Sequence, residues 1–152
     1  MTTATTASII GLADLTLLAG RLLLALIFVH EGAVLLLHFD ATVKTMAALG
    51  IGLPLVLATI ALQLGAGLSI GLGLLTRLGA IGLGLFCLAT ATLFHTNFAN
   101  HNELLHFEKD LAIAGGMFIL SVVGAGAISL DAHVDRNPKW RQGTWRSLAT
   151  RP

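Results

Sequence analysis

Four long runs of apolar residues recur through this sequence, at Leu15 to Leu37, Pro54 to Leu75, Leu78 to Phe94 and Leu111 to Ile128. A helix needs roughly 20 such residues to cross a hydrocarbon core of about 30 Å. The first two runs reach that length, and the last two reach it once flanking residues are added. None of them alternates apolar with polar residues as a membrane barrel strand must. The expected fold is therefore all-α, an integral membrane four-helix bundle with the lipid bilayer as its solvent.

Composition agrees. Of 152 residues 55% are hydrophobic and 11% charged, and mean hydropathy is +0.85. A soluble domain carries about a quarter charged residues, enough to cover its surface. The runs leave room for one membrane domain, residues 15–131, between a short N-terminal tail, 1–14, and a basic, Trp-containing tail, 132–152. A net charge of +1 argues against a nucleic-acid partner. Cys87 is alone, so neither an intrachain disulfide nor a CxxC pair is available. Met1 to Asp14 contain no Lys or Arg, so the basic start of a secretory signal is missing, and the first run is expected to stay as an anchor.

Lys and Arg set the orientation. Arg136, Lys139, Arg141, Arg146 and Arg151 follow the fourth run, whereas only Lys44 lies between the first and second. The C-terminus is thus expected in the cytoplasm, and an even number of spans puts the N-terminus there too. The tight turn at Thr76 and Arg77 then faces inward, and the loops Phe39 to Leu53 and His95 to His106 face the periplasm. A multi-pass protein of a bacterial inner membrane follows. Trp140 and Trp145 among basic residues suit an anchor at headgroup level, and Arg21 and Arg77 are read as further structural anchors. Pro54 fits the first turn of the second helix, where its missing N–H costs little. Gly67 with Gly71, and Ala112 with Gly116, form small-xxx-small pairs that let helices approach closely.

Ionisable groups inside a bilayer are costly and mark partners or function. At about 1.5 Å per residue, His30 and Glu31 sit roughly 10 Å below the outer end of the first helix, and Gln63 roughly 13 Å deep in the second. Glu31 and His38 share a face, expected to look into the bundle. His38, His95, His101, His106 and Glu108 belong to the outer rim, so five of six histidines gather in one half. Three readings compete: a quinone or proton-exchange site, since imidazole can bond a quinone carbonyl and exchange protons near neutral pH; a metal site, disfavoured because no HxxxH-type spacing occurs; and a buried polar pair with solvated loop histidines.

Three stretches resemble the DoxX family of small four-helix membrane proteins: RLLLALIFVHEG at Arg21 to Gly32, LQLGAGLSIGLGLLTRLGAIGLGLF around the second and third helices, and FEKDLAIAGGMFILSVVGAGAISLD at the fourth. The resemblance covers Leu15 to Asp131. In the family the second helix commonly carries a glutamate in E-x-x-G-G-x-x-L-x-x-G; Gln63 takes that place here, with Glu31 as a partial replacement. The resemblance implies membrane redox work, as in subunits of thiosulfate:quinone oxidoreductases or proteins of thiol and oxidative-stress systems.

The function expected is a small membrane subunit of a redox system that contacts quinone or a partner oxidoreductase. His30 and Glu31 shape the pocket and exchange protons, Gln63 bonds the ligand, and His95, His106 and Glu108 form its mouth. No covalently bound cofactor and no metal are expected; quinone is the ligand, and any turnover depends on the partner. The alternatives are a non-catalytic accessory subunit of a larger membrane complex, a homo-oligomer among them, and, less favoured, a small-solute transporter.

Overall fold

The structure, a computed structural model, describes residues 11–136. The first ten residues and the tail bearing Trp140 and Trp145 lie outside the described residues. Six helices follow in order: α1 (Leu12–Leu37), α2 (Phe39–Ala48), α3 (Leu53–Leu72), α4 (Thr76–Phe94), α5 (His101–Val123) and α6 (Leu130–Arg136). No strand occurs among the described residues. By length and composition α1, α3 and α4 can cross a membrane. Large apolar side chains such as Leu23, Leu37, Ile119 and Val122 stand exposed on the outside, which suits lipid as the surrounding solvent.

The helices meet where glycine permits it. A Cβ on Gly32 would come within 2.9 Å of Leu64 Cγ, and one on Gly67 within 3.0 Å of Val29 Cγ2. With Gly71 against Ala25, these contacts run antiparallel along α1 and α3. On the other side Gly84 of α4 sits beneath Phe118 and Met117 of α5, where a Cβ would lie 2.9 Å from the Phe118 ring. Gly116 faces Leu24 and brings α5 to α1. Ala25 and Phe28 of α1, Ile70 of α3, Ala80, Leu83 and Cys87 of α4, and Ala114, Met117 and Leu120 of α5 form one shared core. Close packing, rather than hydrophobic drive, holds such helices together in lipid.

Pro54 occupies the first turn of α3 as expected. Two boundaries differ from the sequence reading. The segment between the first two spans, read as a loop, contains α2, which opens with Asp40 in its first turn, favourably placed against the helix dipole. The fourth helix begins ten residues before Leu111, at His101, because the Asn100 side chain accepts a hydrogen bond from Asn102 N and caps it. It stops at Val123 rather than Ile128, since Gly124 (φ 86°) and Gly126 (φ 77°) take backbone conformations that break the helix.

The segment from Gly124 to Ser129 forms a non-helical hook that returns under α1. Its anchors are polar. Arg21 is 3% exposed, and its guanidinium donates to Ala125 O (2.6 Å) and Ile128 O (3.0 Å). Asp14 accepts from Ala127 N (3.2 Å), and Asp131 N donates to Gly73 O (2.8 Å). The start of α1, the α3–α4 turn and the hook therefore share one end of the molecule, the proximal end; α2 and the 95–100 segment occupy the distal end.

Candidate functional site

His30 and Glu31 stand side by side on α1, with Nδ1 of the histidine 3.5 Å from Oε1 of the glutamate. Their side chains are 67% and 56% exposed. The face of α1 that enters the core is made instead by Arg21, Ala25, Phe28 and Gly32. Gly32 and Ala25 on that face let α3 approach closely. The pair consequently sits on the outer flank, in a stripe with Leu23, Ile27, Val34 and Leu37, all of them exposed.

Gln63 lies on the opposite side of that contact. It is 6% exposed, its Cβ packs against Gly32, and its Oε1 has no hydrogen-bond partner among the described residues. It hydrogen-bonds neither His30 nor Glu31. At the distal end His95 and His106 stack with ring centroids 5.1 Å apart. His95 Nδ1 lies 3.0 Å from Glu103 Oε2. An ionised carboxylate only accepts, so Nδ1 is the donor to it. Glu108 is exposed. One turn inward, Thr90 Oγ1 donates to Asp110 Oδ2 at 2.9 Å, which satisfies part of a carboxylate at the edge of the apolar region.

The structure thus brings the expected residues into two groups, His30 with Glu31 and His95 with His106, and leaves Gln63 buried apart from both. Among the described residues no group of three His, Cys, Asp or Glu side chains could hold a metal ion. A cavity of about 580 Å³ opens at the proximal end, between the first turn of α4 and the hook. Of the candidate ligand or proton-exchange residues none lines it; the Thr76 and Arg77 turn does.

The DoxX profile matches residues 16–96, more than half of the chain. The chain belongs to the DoxX family. It is 39% identical over 132 residues to the inner membrane protein YqjF of Escherichia coli K12, covering 85% of this chain and 98% of that protein. It is 37% identical over 122 residues to the inner membrane protein YphA of the same organism, covering 76% and 87%. No solved structure matches. This DoxX chain is a small multi-pass protein of the inner membrane.

Within the DoxX chain, two acids shape the proximal end through partners that the sequence did not reveal. Asp131 accepts from Leu75 N (2.9 Å) and Thr76 N (3.2 Å), so a carboxylate 55 residues downstream caps α4. Asp14 secures the hook as well as Gly11 N, 3.1 Å from its Oδ2. Arg21, read as reaching for headgroups, is instead enclosed by the protein's own carbonyls. No local signal announces the links of Asp131, Arg21 and Ala127, because each joins residues far apart in the chain. Glu103 was nearer to hand: it lies three residues before His106, on the same face of α5.

Proposed function

We propose that this DoxX protein spans the inner membrane four times with both termini in the cytoplasm, and serves as a membrane subunit of a redox system. It contacts quinone or a partner oxidoreductase through the outer flank of α1. The apolar second half of α5 supplies the fourth span, and the described chain begins and ends at the proximal end, as an even number of spans requires. Arg77 and the basic residues after Asp131 support a cytoplasmic assignment for that end.

The observation that carries the functional reading is the exposed His30–Glu31 pair in an apolar stripe, about 10 Å from the end of α1. Ionisable groups at that depth are unfavourable against lipid tails and call for a polar partner. A quinone head group meets the requirement: an imidazole N–H donates to its carbonyl, and the adjacent carboxylate takes up or returns the proton. Gln63, His95, His106 and Glu108 remain candidate ligand or proton-exchange residues, with the stacked pair at the distal mouth. Cys87 is buried and single, so thiol chemistry belongs to the partner.

Titration of a ubiquinone analogue into purified protein tests this. Saturable binding, weakened at least about tenfold in a His30→Ala, Glu31→Gln variant, is expected. Absence of saturation, or no effect of the substitutions, contradicts the quinone role. The same flank supports a second reading, a non-catalytic accessory subunit, because neither residue lines the cavity and the surrounding leucines offer a surface for a partner's helix. Co-purification in mild detergent separates the two: recovery of only monomer or homo-oligomer counts against the accessory role.

A further inference from the structure

The geometry points to the proximal cavity as a binding site for an anionic phospholipid, with the phosphate on Arg77 and an acyl chain along the apolar wall. The cavity measures about 580 Å³, within the range of about 300–1,000 Å³ typical of ligand sites. Leu74, Leu75, Leu78, Val123 and Val134 line it, and all five are at least 40% exposed. Its wall is therefore continuous with the surface that faces lipid. It lies where α3 ends and α4 begins, at the level at which headgroups meet a span.

Arg77 supplies the charge. Its Nη1 lies 3.4 Å from Ser121 O, a single weak bond for a group with five donors. Among the described residues no carboxylate pairs with it. The side chain lies over Gly124, where a Cβ would come within 3.3 Å of Nε, so this glycine leaves the guanidinium room beside the cavity. A planar guanidinium bonds phosphate in bidentate fashion. The one acid among the described residues lining the cavity, Asp131, has both oxygens engaged by Leu75 N and Thr76 N, so it does not claim Arg77. Thr76, also in the lining, is fully buried with an unpartnered Oγ1.

The outlay in polar anchors around the hook gains a purpose on this reading. Arg21, Asp14 and Ser129 hold a non-helical segment in place against the end of α4, and that segment is one wall of the cavity.

Native mass spectrometry of the full chain, released from bilayers of equal phosphatidylglycerol and phosphatidylcholine, tests the site. The wild type should retain phosphatidylglycerol in preference by about fivefold, the factor expected of one basic group at the interface. Arg77→Gln should lower that preference severalfold, toward what the basic residues after Asp131 contribute. Ala132→Phe, which fills the cavity and leaves Arg77 in place, should lower retention of both lipids, while Lys44→Gln at the distal end should change nothing. Equal retention of the two lipids by the wild type, or a preference left unchanged by both cavity substitutions, overturns the proposal. Displacement of the bound lipid by inorganic phosphate alone would assign the site to a free anion and overturn the lipid assignment.

Discussion

At the scale of single residues, Arg21 is the clearest case of a side chain whose role depends on distant backbone. Near the end of an apolar run, an arginine reads as a group that snorkels to the headgroups. In the fold it is enclosed, because the hook brings two carbonyls to it from more than a hundred residues away. Arg21→Met should leave both carbonyls without their charged donor and cost about 3 kcal/mol, read as a lower thermal midpoint in mild detergent; an unchanged midpoint contradicts the anchoring role. Glycines sort by the same logic. Gly32→Val should cost roughly 1–3 kcal/mol through overpacking against Leu64 and Gln63. At Gly65, where a Cβ meets nothing within 4 Å, alanine should be neutral or stabilising by up to about 1 kcal/mol. Paired melting curves of the two variants check the contrast.

At the scale of elements, the first three spans were legible because each is a long apolar run with few interruptions. The helix of the fourth apolar run was legible only in its apolar half. Glu108, Lys109 and Asp110 look like the end of a loop when hydropathy alone is followed, yet the helix continues through them to the cap at Asn100. The capping residue was the available signal. Asn100→Ala should fray the first turn of α5 at a cost of about 1 kcal/mol and loosen the contact of Glu103 with His95; faster amide exchange from Asn102 to His106 is the expected readout. The cap of α4 was not legible, since its carboxylate comes from α6. Asp131→Ala should cost about 1 kcal/mol and expose the α3–α4 turn, where Leu75 holds a left-handed conformation at φ 49°. Faster cleavage there by added protease checks it, and unaltered resistance would contradict a capping role.

At the scale of the whole molecule, the expected pocket in the distal half did not survive as one constellation. The core-facing side of α1 is the opposite of the one expected from the polar pair. Ala25, Phe28 and Gly32, at successive helical turns, marked that side better than the polar pair did. A polar pair turned outward is the observation on which the proposed contact with another molecule rests. Polar features are thus divided between an outward pair on α1, a stacked histidine pair at the distal end, and a clamped cavity at the proximal end.

Photocrosslinking from the α1 flank in native membranes tests the central claim most directly, with His30→p-benzoylphenylalanine compared with Ile119→p-benzoylphenylalanine, an exposed site on α5. The account predicts quinone or polypeptide adducts at position 30 and phospholipid adducts alone at position 119. Phospholipid adducts alone at both positions would contradict it.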